Sequence, residues 1–405
     1  MGEPRTTARP DVDWGLFVLV VVASQGFSAF LPGDQTRSTL ILATVVLIGL
    51  VVRQLAQALS ATWLSPLVLF LAFWLVGAAL LSPRPMASLP QVVVLILMVV
   101  YTTTRQGTTK DTIHTFALAT TFALVPSIIG LVTPILAPVF AHAGSAGGYA
   151  GYFSWNSMSG MCAAAALLSI VLAFFYCGFW WWQVPGAAGA VLILVLSDSA
   201  TADGAVLAAF AVLGCVAILR RVSLRNRRQA VIGVGIIAVL LVIKAVSDPE
   251  ILPKISEALG RTDTVSNRTY IWNYAMDGIA EAPYWGYGFG FWGSYTKNSA
   301  HNGFLDLALT AGLPAVGALV VMILAAVGRL AVAASPMLPL LAFGIMINLA
   351  LSQLAIPSVA SLAILLAVGA AAGFGARTTA RADAPPGDAS TPAPTAAMRS
   401  LSGTA

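Results

Sequence analysis

The sequence predicts an all-α polytopic membrane protein with about twelve transmembrane helices and one longer extracytoplasmic loop. Three observations carry this. Of 405 residues, 58% are hydrophobic and only 9% charged, where a soluble domain carries about 25% charged residues; the mean hydropathy is +0.87. Apolar windows recur along the whole chain, each close to the ~20 residues a helix needs to cross the hydrocarbon. The Lys and Arg residues between those windows fall unevenly on alternate sides, as they do when they set topology.

Charged or Pro/Gly breaks divide the windows into spans at 14–32, 38–52, 63–82, 88–103, 112–135, 156–176, 179–197, 199–219, 229–246, 301–328, 332–352 and 356–376. The first is a long apolar stretch in which VVASQG is a poor cleavage site, so it reads as an uncleaved anchor. The seventh and eighth are separated only by the tight turn SDSAT (197–201), and RRVSLRNRR separates the eighth from the ninth. The chain therefore divides into an N-terminus (1–13), nine helices (14–246), a loop with an interfacial helix (247–300), three helices (301–376) and a tail (377–405) rich in Ala, Pro, Thr and Ser that has the composition of a disordered end.

With the N-terminus cytoplasmic, that side receives fourteen Lys and Arg residues and the other side seven. RRVSLRNRR alone would fix this sense, so both termini are expected in the cytoplasm. The net charge of +5 is accounted for by this asymmetry, and with no soluble basic face the composition excludes a nucleic-acid partner. Cys162, Cys177 and Cys215 fall within apolar spans without pairing or metal-ligand spacing and read as small buried hydrophobes.

The longest non-apolar stretch, 247–300, then lies outside the membrane, and loops of that length are usually functional. A second outward segment, PAPVFAHAGSAGGYAGYFSW (136–155), has the small residues of a flexible or re-entrant loop. Asp198, Asp203, Lys244 and Asp306 are the ionisable residues nearest the apolar segments, all at outer helix ends. Such groups point to function by default, although snorkelling or capping would also place them there. Within the loop, SNRTYIWNYAMDGIAEAP has a helix start at Ser266 or Asn267, apolar residues at Ile271, Ala275 and Ile279 beside Trp272, and a stop at Pro283. That pattern predicts an amphipathic helix at the membrane interface with Arg268 on its first turn, where backbone N–H groups and a guanidinium would together receive an anion. WGYGFGFWG follows, with aromatic faces suited to a sugar or an isoprenoid chain; Gly286, Gly288 and Gly290 follow no strand, so they are no dinucleotide fingerprint. Next comes AHNGFLDLALTAGLPAVG (300–317), in which Gly312 and Gly317 suit close helix packing.

These segments resemble the O-antigen ligase and polymerase superfamily of bacterial envelope glycan enzymes, and most closely its exopolysaccharide-production polymerases. GYFSWNSMSG (151–160) is similar to the family's Gly-x-Phe…Asn motif entering a helix. SNRTYIW…APYWGYGFGFW (266–292) resembles its Gly-Arg-Thr…Trp…Pro…Gly-x-Gly motif, and residues 300–317 resemble its His-Asn…Leu…Gly-Leu-x-Gly motif. The resemblance covers about 151 to 320 and the helix pattern.

The resemblance implies a metal-independent glycosyltransferase of the bacterial cytoplasmic membrane, without cofactor, acting at the periplasmic face. It would transfer glycan from a polyprenyl (undecaprenyl) diphosphate to an acceptor hydroxyl on a glycan or on lipid A core, with a chain-length regulator as a possible partner beside the bilayer itself. His301 would be the general base or acceptor-orienting group, as an imidazole suits near neutral pH. Arg268 would bind the diphosphate, with Arg261 and Lys297 as further cations. Asn302, Asp306, Asn156, Trp272 and Asp198 would face glycan or acceptor. His114 and His142 lack the motif and read as structural.

One departure stands out: at the SDSAT turn the family often carries an Arg or Lys where this chain has Ala200. Arg261, Lys297 or Arg84 could compensate. The resemblance favours a polymerase; a ligase delivering finished glycan to lipid A core or protein is the alternative, and a transporter or flippase of lipid-linked sugars the third reading. The last predicts charges deep in the spans and an internal repeat, and neither is seen.

Overall fold

The computed structural model describes residues 10–24, 45–50, 65–82, 85–104, 108–133, 142–143, 149–151, 156–230, 262–288, 302–350 and 358–382. His301, Arg261, Lys297, Arg84, Lys244 and Gly290 lie outside them, as do residues 1–9, most of the ninth predicted span and the tail beyond residue 382.

The described chain is helical apart from two short strands. Its elements are α1 (Trp14–Ala23), α2 (Ser65–Leu81), α3 (Pro85–Thr104), α4 (Thr109–Val132), β1 (His142–Ala143), β2 (Tyr149–Gly151), α5 (Asn156–Cys177), α6 (Gln183–Ser197), α7 (Ala200–Leu219), α8 (Thr262–Glu281), α9 (Gly303–Ala311), α10 (Leu313–Val332), α11 (Met337–Ala350) and α12 (Val359–Ala382). Four of these, α4, α5, α7 and α10, are long and apolar enough to cross a membrane, and six further apolar helices are shorter. This is a membrane protein with an all-helical frame.

Local sequence explains where the helices begin. The Asp13 carboxylate accepts from the Leu16 N–H at the head of α1. Thr108 and Asp111 form a reciprocal capping box at the head of α4. The run Cys162–Ala163–Ala164–Ala165–Ala166 in α5 is completely buried, because small side chains let neighbouring helices approach from every side. Accordingly α5 is central, packed against α4, α6 and α7, while α11 lies between α7 and α12.

Contacts sort the helix ends into two groups. At one end the Asp13 N–H donates to Thr115 Oγ1, Cys177 Sγ to the Lys110 carbonyl and Arg220 Nε to the Ala334 carbonyl. His114 is buried there against the rings of Trp180 and Trp182, which suits a structural residue. At the opposite end β1 pairs antiparallel with β2, His142 facing Gly151, and Tyr149 Oη donates to the Ser127 carbonyl near the end of α4. Cys162 is buried, Cys177 partly so, and Cys215 lies on an exposed face of α7, unlike the buried position expected for it.

The tenth predicted span is two helices. Gly312, at φ +83° and ψ 168°, breaks it into α9 and α10, a backbone region open essentially to glycine alone; Pro314 then sits at the start of α10.

Candidate functional site

At the end that carries β1 and β2, two motif segments interlock. The expected amphipathic helix is α8, but it starts at Thr262, not at Ser266 or Asn267. Thr262, Asp263 and Thr264 suit a helix start, and the earlier start puts Arg268 in the second turn. The free N–H groups of that helix end are therefore not beside Arg268 in sequence. The apolar stripe is as expected, yet it faces protein and not lipid: Ala275 and Ile279 form one buried cluster with Ala308 and Leu309 of α9, joined by Ile271, Tyr274 and Leu305.

Helix α9 ends in the apolar interior, where its last carbonyls need donors from elsewhere. The Gly312 N–H reaches the Ala308 carbonyl at 2.9 Å, Tyr287 N–H the Leu309 carbonyl at 2.8 Å and Gly288 N–H the Thr310 carbonyl at 2.9 Å. Trp74 Nε1, from α2, reaches the Ala311 carbonyl at 3.0 Å. All four carbonyls are satisfied, three of them from the segment Trp285–Gly288 or from Trp74. In return Leu313 N–H donates to the Pro283 carbonyl at 2.8 Å, and the Tyr284 carbonyl accepts from Trp74 Nε1 at 3.1 Å. The glycines permit this closeness. A Cβ on Gly286 would lie 2.6 Å from the Leu309 carbonyl oxygen, and one on Gly288 would overlap Ser82.

At the other end of α9, the Asn302 side chain accepts from the N–H groups of Phe304 and Leu305, so it caps the helix. Asp306 is buried in the first turn, where the helix dipole favours its negative charge. Its N–H donates to the Asn302 carbonyl and its carbonyl accepts from Thr310 Oγ1.

The GYFSWNSMSG segment leads into the first turn of α5, which starts at Asn156. Here α5 packs on the SDSAT turn: a Cβ on Gly160 would lie 2.7 Å from both Ser197 Oγ and Ser199 Cβ. Ser159 is buried, its hydroxyl without a hydrogen-bond partner among the described residues. Asp198 is exposed and left-handed at φ 48°, ending α6. Ala200 and Asp203 are exposed on the first turn of α7, and Ser199 makes no side-chain cap there. Burial raises the Tyr149 phenol above its ordinary value.

The structure thus joins the segment of Arg268 and Trp272 to that of Asn302 and Asp306, and separately joins the Asn156 segment to that of Asp198. The side chains of Asn156 and Arg268 fall outside the description. Sequence reasoning missed Trp74, Ser82 and Ser88; a lone tryptophan and two serines in apolar spans carry no pattern that would have found them. Among the described residues no three His, Cys, Asp or Glu side chains are grouped to hold a metal ion.

Residues 151–320 match the family model described as O-antigen ligase. That stretch is similar to an O-antigen ligase domain. No curated protein matches the sequence. The O-antigen ligase domain opens on the last residue of β2, holds α5 to α9 with both interlocked segments, and ends within α10. Trp74, Ser82 and Ser88 lie outside it. The match supports a function of the O-antigen ligase and polymerase type.

Proposed function

We propose that the protein polymerises glycan from a polyprenyl-diphosphate-linked donor at the periplasmic face of the bacterial cytoplasmic membrane. The observation that carries this is the O-antigen ligase match over two segments whose backbones interlock. Arg268 lies three residues before Ile271 and Asn302 three before Leu305, so each is one helical turn outside the apolar patch that Ile271 and Leu305 share. His301 immediately precedes Asn302. This register supports a single site for a cation and an imidazole.

In the reaction the acceptor hydroxyl attacks the anomeric carbon, the bond from that carbon to the diphosphate oxygen breaks, and the polyprenyl diphosphate leaves with the bonding pair. His301 takes the hydroxyl proton, and Arg268 holds the charge that grows on the leaving group. Because a diphosphate already leaves readily, the protein contributes mainly orientation and charge stabilisation. Asn302 caps the head of α9 and follows His301 directly in sequence. Orientation is supported by the arginines 220, 221, 225, 227, 228 and 329, which belong to the same helix-end group as Ala334, the sense expected if that end faces the cytoplasm.

The test is to incubate the purified, detergent-solubilised protein with a lipid-diphosphate-linked repeat unit alone. A ladder of longer lipid-linked glycan is expected, and none from His301→Ala or Arg268→Ala. Product that forms only when lipid A core or protein is supplied would replace the polymerase by a ligase. No product with any acceptor would overturn the reading.

A further inference from the structure

The loop between α7 and residue 230 holds a second candidate for binding, at the opposite end from the glycan site. Residues 220–228 read RRVSLRNRR, five arginines without an acidic residue, and residues 224–230 are helical. Two of the five are spent on the fold. Arg220 donates from Nε to the Ala334 carbonyl and lies over the Tyr176 ring, 4.4 Å from its centroid. Arg227 donates from Nε to the Val222 carbonyl and from Nη2 to the Arg220 carbonyl. These bonds brace the loop against α5 and the α10–α11 turn.

The side chains of Arg221, Arg225 and Arg228 are exposed and make no hydrogen bond or ion pair within the described residues. Arg225 and Arg228 are three apart on one helix, hence neighbours on its surface, and like charges so placed repel. An anion between them removes that repulsion. A second observation says which anion is at hand. Tyr176 and the Arg220 guanidinium are in contact, and Phe179 and Trp181, a few residues beyond Tyr176, are 63% and 77% exposed. Exposed aromatic side chains at a helix end sit at the headgroup level of a bilayer. Leu224, 54% exposed at the start of the short helix, adds an apolar contact at the same level.

We propose that Arg221, Arg225 and Arg228 form a binding site for the phosphate of an anionic phospholipid headgroup. The guanidiniums grip phosphate oxygens in the fork geometry, while Phe179, Trp181 and Leu224 rest on the acyl boundary. The site is independent of the glycan reaction, so it stands or falls apart from that reading.

Native mass spectrometry of the full chain, equilibrated with equal amounts of phosphatidylglycerol and phosphatidylcholine, tests it. Wild type is expected to retain phosphatidylglycerol preferentially. R225Q/R228Q, which keeps Arg220, Arg221 and Arg227, is expected to lose about fivefold of that preference for each arginine removed. Retention of both lipids alike by wild type overturns the proposal, as does a preference unchanged in the variant. Loss of the preference on adding millimolar inorganic phosphate would assign the site to free phosphate instead of lipid. Should the variant fail to insert, the wild-type preference and its fall with added salt decide the matter.

Discussion

Trp74 and Trp285 lie face to face, ring centroids 4.1 Å apart and planes 5° from parallel. One belongs to α2, outside the O-antigen ligase domain; the other begins the WGYG segment inside it. The same indole donates to the carbonyls of Tyr284 and Ala311, so one side chain ties the loop after α8 to the end of α9.

Trp74→Phe keeps a ring for the stack and removes the N–H, leaving the Ala311 carbonyl without its donor. An unsatisfied buried carbonyl costs about 1–3 kcal/mol. Trp74→Leu loses the stack as well. Thermal unfolding in detergent is expected to rank wild type above Phe and Phe above Leu; equal midpoints for all three would show that the clasp contributes nothing.

Gly312 and Gly317 make an internal contrast. At Gly312 the backbone is left-handed and a Cβ would run into the Tyr284 carbonyl, whereas nothing lies within 4 Å of a Cβ at Gly317. Gly312→Ala should destabilise by at least the about 1–3 kcal/mol of backbone strain, and Gly317→Ala should be neutral or mildly stabilising. Both are read from unfolding midpoints. Matching effects would remove the helix break as the reason for Gly312.

The sequence resemblance places Asn302 against glycan or acceptor, and the structure gives it a capping role. Asn302→Ser and Asn302→Asp preserve a cap, while Asn302→Ala forfeits about 1 kcal/mol. If capping is its contribution, product formation survives in the Ser and Asp variants and falls in the Ala variant. Equal loss in all three would return Asn302 to the substrate.

Tyr149 sets a pH dependence of known sign. Its phenol is raised by burial above the ordinary value of 10.0, so above that pH the unfolded chain loses this proton first. Stability then falls as pH rises from the ordinary value towards the raised one. Urea or thermal titration is expected to show a steeper decline above about pH 10 in wild type than in Tyr149→Phe. Parallel curves would refute it.

The frame was legible because its signals are local: each apolar window, and a break such as RRVSLRNRR, declares itself within its own stretch of sequence. The interlock was not. Gly286 and Gly288 carried no sign of their use, which is to let the backbone close on α9 so that the Tyr287 and Gly288 N–H groups reach its last carbonyls, and that depends on a helix later in the chain. The stripe Ile271, Ala275 and Ile279 had the right period, but periodicity cannot distinguish lipid from a partner helix. Gly312 sat inside an unbroken apolar run, where hydropathy is blind to a turn. Trp74 had no sequence signal because its partners come more than two hundred residues later.

Ala200 stands where the resemblance implies an Arg or Lys, and the structure makes that difference testable. It is exposed at the first position of α7, so an arginine there meets no buried neighbour. The helix dipole opposes a cation at that end by only about 0.3–1 kcal/mol. If this turn faces the donor diphosphate, Ala200→Arg adds a charge-assisted contact and lowers KM for the lipid-linked donor several-fold, with kcat little changed because ground state and transition state both carry the anion. The Ala200→Gln variant, similar in reach but uncharged, separates charge from bulk. Initial rates over a donor series, measured for the three proteins, are expected to set Arg apart from both Gln and wild type. An unchanged KM in Ala200→Arg would place the SDSAT turn away from the diphosphate and leave Arg268 with the cations of the 247–300 loop to hold it.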